Sequence, residues 1–159
     1  MAAIKTLIFT VLVPGSVAVY LPHLLVSSAG SRGTLPLGGF HYAGLVLILL
    51  GALIYLRCAW DFAFAGKGTP ASIDPPKELV VRGLYTYVRN PMYVGVLSVI
   101  IGQAIWFEAR VLFAYAGLCF LLFFAFVVLY EEPVLRRKFG ESYERYCDQV
   151  PRWIPRLRR

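Results

Sequence analysis

The chain contains few charged residues and few residues of the kinds that bind metals or form disulfides. Only 16% of its 159 residues are charged and 58% are hydrophobic, whereas roughly a quarter of the residues in a soluble domain are charged. The three cysteines and two histidines are far apart and have neither metal-ligand nor disulfide spacing. These shortages argue against a soluble globular domain, a metal centre and a disulfide framework.

The charge that is present is mostly positive, with a formal net charge of +7. No nucleic-acid recognition motif accompanies it. The basic residues cluster beside long apolar runs, where they are typical of membrane topology signals and headgroup contacts. We therefore expect the membrane bilayer as a partner and no nucleic acid.

The long apolar runs predict the fold class. A helix that spans a bilayer needs about 20 apolar residues. The sequence therefore predicts one all-α domain over residues 1–159, a polytopic helical membrane protein. Its four transmembrane helices are expected at residues 4–25, 41–65, 92–107 and 111–130. Pro14 and Gly15 should kink the first helix, and the short connection between the last two predicts a tight helical hairpin.

Several residues inside the spans have structural interpretations. Arg57 and Asp61 have the i,i+4 spacing of an ion pair. Gly44 and Gly51 are small residues that permit close helix contact, within or between chains. Gln103 is expected to hydrogen-bond across helices.

Basic residues predict the orientation of the spans. They are concentrated after the second span and in the C-terminal tail, which places both termini in the cytoplasm. An alternative is that the first span is a cleaved signal peptide, because small residues follow it at positions 27–29. The apolar run is longer than a typical signal, so four spans remain the prediction.

The tail following the last span has the pattern of an amphipathic helix. Apolar and aromatic side chains recur at i, i+4, i+7 and i+11. These residues are Phe139, Tyr143, Tyr146 and Val150. We expect this helix to lie in the membrane interface, with Trp153 anchored at headgroup level.

Asn90 and Pro91 are typical of a helix start, with asparagine as the capping residue and proline at the first helical position. The positive end of the helix dipole and the preceding Arg89 would form a site for a carboxylate or phosphate. A simple interfacial helix cap with a snorkelling arginine explains the same pattern equally well.

Glu131 and Glu132 are adjacent carboxylates at the end of the last apolar run. Their mutual repulsion requires a cation nearby. The candidates are Arg89, Arg136, Lys138 and a bound ligand. The alternative is a solvated charge pair that ends the helix, an interpretation that Pro133 supports.

Three tyrosines and two glycines allow further alternatives. Tyr85, Tyr87 and Tyr93 are typical of an interfacial aromatic belt, but aromatic rings also flank an adenine or attract a sulfonium. Gly66 and Gly68 permit close backbone approach to a ligand, or merely end a helix.

Two blocks at these positions resemble the isoprenylcysteine carboxyl methyltransferase and phospholipid N-methyltransferase superfamily of integral-membrane methyltransferases. The first block is Gly83, Tyr85, Arg89, Asn90, Pro91, Tyr93 and Gly95. The second is Glu131, Glu132, Leu135, Phe139, Gly140, Tyr143 and Tyr146, followed by Val150, Arg152 and Pro155. The resemblance covers roughly residues 66–156, whereas the first two spans match only in hydrophobicity.

The resemblance implies that residues 66–156 bind S-adenosylmethionine at the cytosolic face. The residues expected to bind the cofactor are Gly66, Gly68, Tyr85, Tyr87, Arg89, Asn90, Pro91, Tyr93, Gly95, Glu131 and Glu132. Arg89 and Glu132 are expected to contribute to catalysis, and no metal is implied. Asn90 stands where many eukaryotic prenylcysteine enzymes have histidine, and it cannot act as a base near neutral pH.

The implied activity is methyl transfer to a lipophilic or amphiphilic acceptor that enters from the bilayer. A prenylcysteine carboxylate, a lipid amine and a small hydrophobic carboxylate or thiol all fit, and a lipid or small hydrophobic acceptor is favoured. The compact chain is typical of a prokaryotic inner-membrane protein with a cytoplasmic active site. The alternative is a non-catalytic membrane binding or assembly module, in which Arg89 and the glutamates form a structural ion network. The oligomeric state does not follow from the sequence.

Overall fold

The computed structural model describes residues 12–28, 38–64, 79 and 81–155. The regular secondary structure of this part of the chain is entirely helical, with no β-strand, so the predicted all-α class is confirmed for it. The helices are α1 (Leu12–Ser28), α2 (His41–Phe64), α3 (Pro91–Trp106), α4 (Arg110–Phe139) and α5 (Glu141–Gln149). Short 3-10 turns occupy Gly38–Phe40 and Gly83–Thr86. Gly66 and Gly68 lie outside the described residues.

Two of the described helices are long and apolar enough to cross a membrane, namely Gly38–Asp61 and Arg110–Phe139. They correspond to the predicted second and fourth spans. The predicted first and third spans correspond to Leu12–Ser28 and Pro91–Trp106, which are apolar but shorter, and residues 4–11 lie outside the described part. Two spans are therefore supported, and the four-span topology stays a prediction.

Four glycines bring α2 and α3 into backbone contact, and we call them the glycine seam: Gly44 and Gly51 on α2, Gly95 and Gly102 on α3. A Cβ atom on Gly51 would lie 2.6 Å from the carbonyl oxygen of Gly95. A Cβ atom on Gly44 would lie 2.5 Å from the carbonyl oxygen of Gly102. The predicted role of Gly44 and Gly51 in helix contact is confirmed, and this contact lies within one chain.

Helix α1 packs on α3 and α4 through its own backbone. It contains a π turn at Ser16–Tyr20, directly after the Pro-Gly pair at which a kink was predicted. The carbonyl oxygen of Ala18 accepts a hydrogen bond from Gln103 Nε2 at 2.6 Å, and that of Val17 accepts one from the Tyr115 hydroxyl at 2.9 Å. Gln103 therefore does bond across helices, as predicted.

Helix α4 continues past Pro133 to Phe139 through a π turn at Val127–Glu131. Proline lacks the N–H of a regular helix and its ring crowds the preceding turn, and the wider turn accommodates it. The interpretation of Glu131 and Glu132 as a solvated pair that ends a helix is therefore wrong. Both lie within a continuous helix, and Glu132 is buried.

The predicted amphipathic tail helix is present in part as α5. Gly140, with a φ angle of +52°, separates it from Phe139 on α4, and Val150 follows its last turn. The protein covers its apolar face. Tyr143, Tyr146 and Val150 are buried, and they pack with Leu79, Leu135, Phe139 and Cys147. Trp153 lies against the ring of Phe120, with 5.5 Å between the ring centroids. Intrachain packing thus covers this face, and the membrane-interface position of the tail and of Trp153 stays a prediction.

Candidate active site

The candidate site lies where four segments of the chain meet: the Gly83–Thr86 turn, the start of α3, the π turn of α4 and the residues after α5. Hydrogen bonds fasten the C-terminal segment to the turn. The Tyr146 hydroxyl donates to the carbonyl oxygen of Tyr85 at 2.7 Å. The backbone N–H of Arg89 donates to the carbonyl oxygen of Pro151 at 2.9 Å. The folded-back tail is therefore part of the site.

Asn90 contributes to this attachment and not to helix capping. Helix α3 begins at Pro91 as predicted, but the Asn90 side chain makes no capping hydrogen bond. Its Nδ2 instead donates to the carbonyl oxygen of Arg152 at 3.1 Å. The predicted side-chain cap is wrong, because a long-range partner has taken the amide group.

Arg89, Glu132 and Arg152 form a compact ion cluster, which we call the arginine–glutamate cluster. Arg152 binds Glu132 with two nitrogens, Nε to Oε1 at 2.7 Å and Nη2 to Oε2 at 3.0 Å. Arg89 Nη1 lies 3.1 Å from Oε1 of Glu132 and 2.9 Å from the sulfur of Cys147. A buried carboxylate requires such pairing, and two guanidinium groups provide it here.

Protonation states in this region favour fixed hydrogen-bond donors. Burial raises the pKa of Tyr85 and of Tyr146, so both hydroxyls remain protonated at neutral pH. The hydrogen bond to Glu132 raises the pKa of Arg152. Arg152 therefore keeps its positive charge, and Tyr146 keeps its donor to the turn.

The two adjacent glutamates point to different surroundings. Glu132 belongs to the ion cluster, whereas Glu131 Oε2 accepts a hydrogen bond from the Tyr93 hydroxyl at 3.0 Å. The Tyr93 ring packs on Phe123, with 4.9 Å between the centroids. The side chains of neighbouring helix residues point in directions about 100° apart. The Glu132 carboxylate therefore reaches the cluster, whereas that of Glu131 lines a cavity.

That cavity encloses about 620 Å³ between its lining atoms, part of it open to the outside. Its polar lining residues are Tyr85, Arg89, Asn90, Tyr93 and Glu131, and its other lining residues are Val13, Pro14, Val17, Tyr55, Met92, Val96 and Phe123. One ligand can therefore meet charged groups and an apolar wall together.

Comparison with known proteins identifies the family. The model of the phospholipid methyltransferase family matches residues 40–142, well over half of the chain. The chain belongs to the phospholipid methyltransferase family. The resemblance noted from the two sequence blocks is thereby confirmed at the level of the superfamily.

Three curated relatives extend this result. A protein-S-isoprenylcysteine O-methyltransferase of Schizosaccharomyces pombe is 38% identical over 77 residues, which are 48% of this chain and 33% of the relative. A probable protein of the same name from Oryza sativa subsp. indica is 28% identical over 118 residues, 72% of this chain and 60% of the relative. The nickel-cobalt-cadmium resistance protein NccN of Alcaligenes xylosoxydans xylosoxydans is 35% identical over 80 residues, 50% of this chain and 37% of the relative. The chain thus spans only a third to three-fifths of these relatives.

The structure of this family member brings only some of the predicted cofactor-binding residues to the cavity. Those that line it are Tyr85, Arg89, Asn90, Tyr93 and Glu131. Pro91 is buried at the start of α3, Gly95 lies in the glycine seam, and Tyr87 is 63% exposed. Glu132 lies in the arginine–glutamate cluster. Lining a cavity does not test cofactor binding, so the predicted binding roles of all eleven residues, with Gly66 and Gly68 outside the described part, stay predictions.

Sequence reasoning missed Arg152 and Cys147 as parts of the site. The cation that holds Glu132 together with Arg89 is Arg152, which was not among the predicted partners Arg136 and Lys138. Arg152 is 20 positions from Glu132, too far for a helical neighbour, and the return of α5 alone brings it close. The position of Arg152 just after the second sequence block was the one sequence feature that could have marked it as a site residue.

Proposed function

We propose that the protein transfers a methyl group from S-adenosylmethionine to a lipophilic or amphiphilic acceptor that enters from the membrane. The observation that carries this proposal is the cavity, in which Arg89 and Glu131 stand beside an apolar wall. Such a lining matches a charged cofactor and a lipid-like acceptor held side by side. Family membership supports the same class of reaction.

The cavity fits a zwitterionic amino-acid group. Arg89 Nε is buried and has no hydrogen-bond partner among the described residues. A buried donor without a partner is costly, and a ligand carboxylate would satisfy it. Glu131 supplies the opposite charge for an ammonium group. In this proposal Arg89 and Glu131 bind the two ends of the cofactor's amino-acid portion.

Bound S-adenosylmethionine supplies a methyl group activated by a positively charged sulfur. The protein's own part is to align acceptor and donor and to exclude water. Glu132 and Arg152 hold the Arg89 guanidinium in place, and Tyr93 orients the Glu131 carboxylate. We assign Arg89 to the ligand directly, and Glu132 to the support of Arg89.

The apolar wall suggests the class of acceptor. Val13 and Val17 of α1 line the cavity together with Val96 and Phe123, and this apolar lining favours an acyl or prenyl chain over a polar molecule. A lipid amine or a small hydrophobic carboxylate or thiol fits this wall. Two relatives are named as isoprenylcysteine O-methyltransferases, which supports a lipophilic acceptor. We place the active site at the cytoplasmic face of a prokaryotic inner membrane.

A second candidate is a non-catalytic membrane binding or assembly module. The arginine–glutamate cluster favours it, because Arg89 already has a protein carboxylate as its partner. In that case the cluster is purely structural and the cavity does not bind the cofactor. Cofactor affinity separates the two candidates.

Calorimetric titration of the detergent-solubilised protein with S-adenosylmethionine and S-adenosylhomocysteine tests the proposal. We expect saturable binding, weakened at least about tenfold by Glu131→Gln and by Arg89→Ala, because each removes a charged hydrogen bond to the ligand. The matched control Arg110→Ala, at an exposed position at the far end of α3 and α4, should bind like the wild type. A well-folded wild-type protein that binds neither compound, in detergent and in nanodiscs, would favour the non-catalytic module.

A further inference from the structure

Asp61, the last residue of the apolar segment Gly38–Asp61, is a buried carboxylate outside the site described above. Its side chain is fully buried, and its Oδ1 lies 2.5 Å from Arg57 Nη1 and 3.3 Å from Arg82 Nε. The first contact confirms the predicted i,i+4 pair. The second ties the end of α2 to the residue that precedes the Gly83–Thr86 turn.

The other carboxylate oxygen of Asp61 lies against the backbone of that turn. Oδ2 is buried and has no hydrogen-bond partner among the described residues. A Cβ atom on Gly83 would lie 2.6 Å from it, and the φ angle of Gly83 is +57°. This left-handed conformation and close approach both require glycine. The first residue of the turn, Gly83, therefore lies in direct contact with the Asp61 carboxylate.

The same turn carries Tyr85 into the cavity. The Tyr85 side chain packs with Cys58, one helical turn before Asp61 on α2, and with Met92. The Tyr85 carbonyl oxygen accepts the hydrogen bond from Tyr146. The turn is thus held by α2 on one side and by α5 on the other, and Asp61 is the charged group on the α2 side.

We propose that Asp61 is a positioning residue, which fixes the Gly83–Thr86 turn through Arg82 and Gly83 and thereby places Tyr85 in the cavity wall. Asp61 does not line the cavity, so it acts through the turn and not on a ligand. The consequence for binding rests on the proposed function. The consequence for the turn does not.

Hydrogen exchange, measured by mass spectrometry without cofactor, tests the effect on the turn. The amides that report on it are those of Tyr85, Tyr87, Val88 and Arg89, all hydrogen-bonded in the structure. Asp61→Asn keeps the shape but removes the charge, and we expect exchange in residues 82–89 to accelerate at least about tenfold. The matched control Asp148→Asn, at an exposed position on α5, should not change it. Exchange within twofold of the wild type in Asp61→Asn would overturn the proposal.

A second variant covers the case in which Asp61→Asn does not fold. Arg82→Gln removes one partner of the carboxylate from a side chain that is 55% exposed. We expect about threefold faster exchange in the same residues. Unchanged exchange in this variant would overturn the proposal as well.

Binding of S-adenosylhomocysteine tests whether Asp61 acts through Tyr85. We expect Asp61→Asn to weaken binding about tenfold, since small displacements of a binding group have large effects. In a Tyr85→Leu background the same change should weaken it less than twofold, because coupled residues are not additive. Additive losses would contradict action through Tyr85. If the wild type binds no cofactor while exchange responds to Asp61→Asn, the proposed function fails and the positioning role stands.

Discussion

The glycine seam and the arginine–glutamate cluster join the helices of the same bundle by different means. In the seam, α2 and α3 touch through backbone atoms, and a Cβ atom on Gly102 would lie 2.7 Å from the carbonyl oxygen of Gly44. In the cluster, three long side chains meet, with Arg89 and Glu132 separated by 43 positions. The seam depends on the absence of side-chain atoms, and the cluster depends on charges.

This difference separates two kinds of sensitivity. Helices surrounded by lipid tails associate through close backbone packing and not through the hydrophobic effect. An added side-chain atom in the seam is therefore expected to weaken the contact between α2 and α3. At the polar end, each charge depends on its partner, because an unpaired buried charge is strongly destabilising. We therefore expect substitutions to affect the two regions according to size in one and charge in the other.

The largest effect is expected for Glu132→Gln, which leaves the Arg89 and Arg152 guanidinium groups without a counterion. Breaking a buried ion pair lowers the free energy of unfolding by about 3–5 kcal/mol. Because Arg152 is 32% exposed, we expect the lower end, about 3 kcal/mol, measured as a lower thermal unfolding midpoint in detergent. The control Glu144→Gln, an exposed residue of α5, should leave the midpoint unchanged. Equal midpoints in both variants would show that the cluster does not stabilise the fold.

A smaller effect is expected for Gly51→Ala in the seam. The added methyl group meets backbone atoms at 2.6 and 2.9 Å, so α2 and α3 must separate. Overpacking of this kind lowers the free energy of unfolding by about 2 kcal/mol, again read from the thermal midpoint. Gly117→Ala adds the same methyl group to α4 where nothing lies within 4 Å, and its better helix propensity should raise stability by up to about 1 kcal/mol. The same loss of stability in both variants would remove the distinction between seam and open helix surface.

The smallest effect is expected for Tyr146→Phe, which removes a single hydrogen bond to the Tyr85 carbonyl oxygen without changing volume or charge. We expect a loss of about 1 kcal/mol, visible as a small decrease in the thermal midpoint. Tyr87→Phe, in which the removed hydroxyl belongs to a 63% exposed residue, serves as its control. If the two variants have the same midpoint, the attachment of α5 to the turn depends on packing alone.

Features of the fold that depend on neighbouring residues were predicted correctly. A helix was expected at residues 41–65, and α2 occupies His41–Phe64. The start of α3 at Pro91 and the tight connection to α4 were also confirmed. Hydrophobic runs and proline act over a few residues, so the sequence alone suffices for them.

Local sequence patterns did not predict the contacts of residues whose partners lie in a distant part of the chain. Asn90 has the sequence context of a cap, yet it binds the Arg152 carbonyl oxygen. The amphipathic pattern of α5 correctly indicates an apolar face, but it does not reveal that this face packs with Leu135 and Phe139 at the end of α4. Only the return of the tail over the bundle created these partners.

The sequence by itself determined the helical class, the two glycines that α2 contributes to the seam, and five of the residues that line the cavity. The tertiary structure alone decided how Glu131 and Glu132 divide between a cavity and an ion cluster, and that Arg152 completes the cluster. The physical reason is the distance along the chain over which the interactions act. Helix formation depends on contacts between near neighbours, whereas burying charges requires that oppositely charged groups from separate segments meet in space.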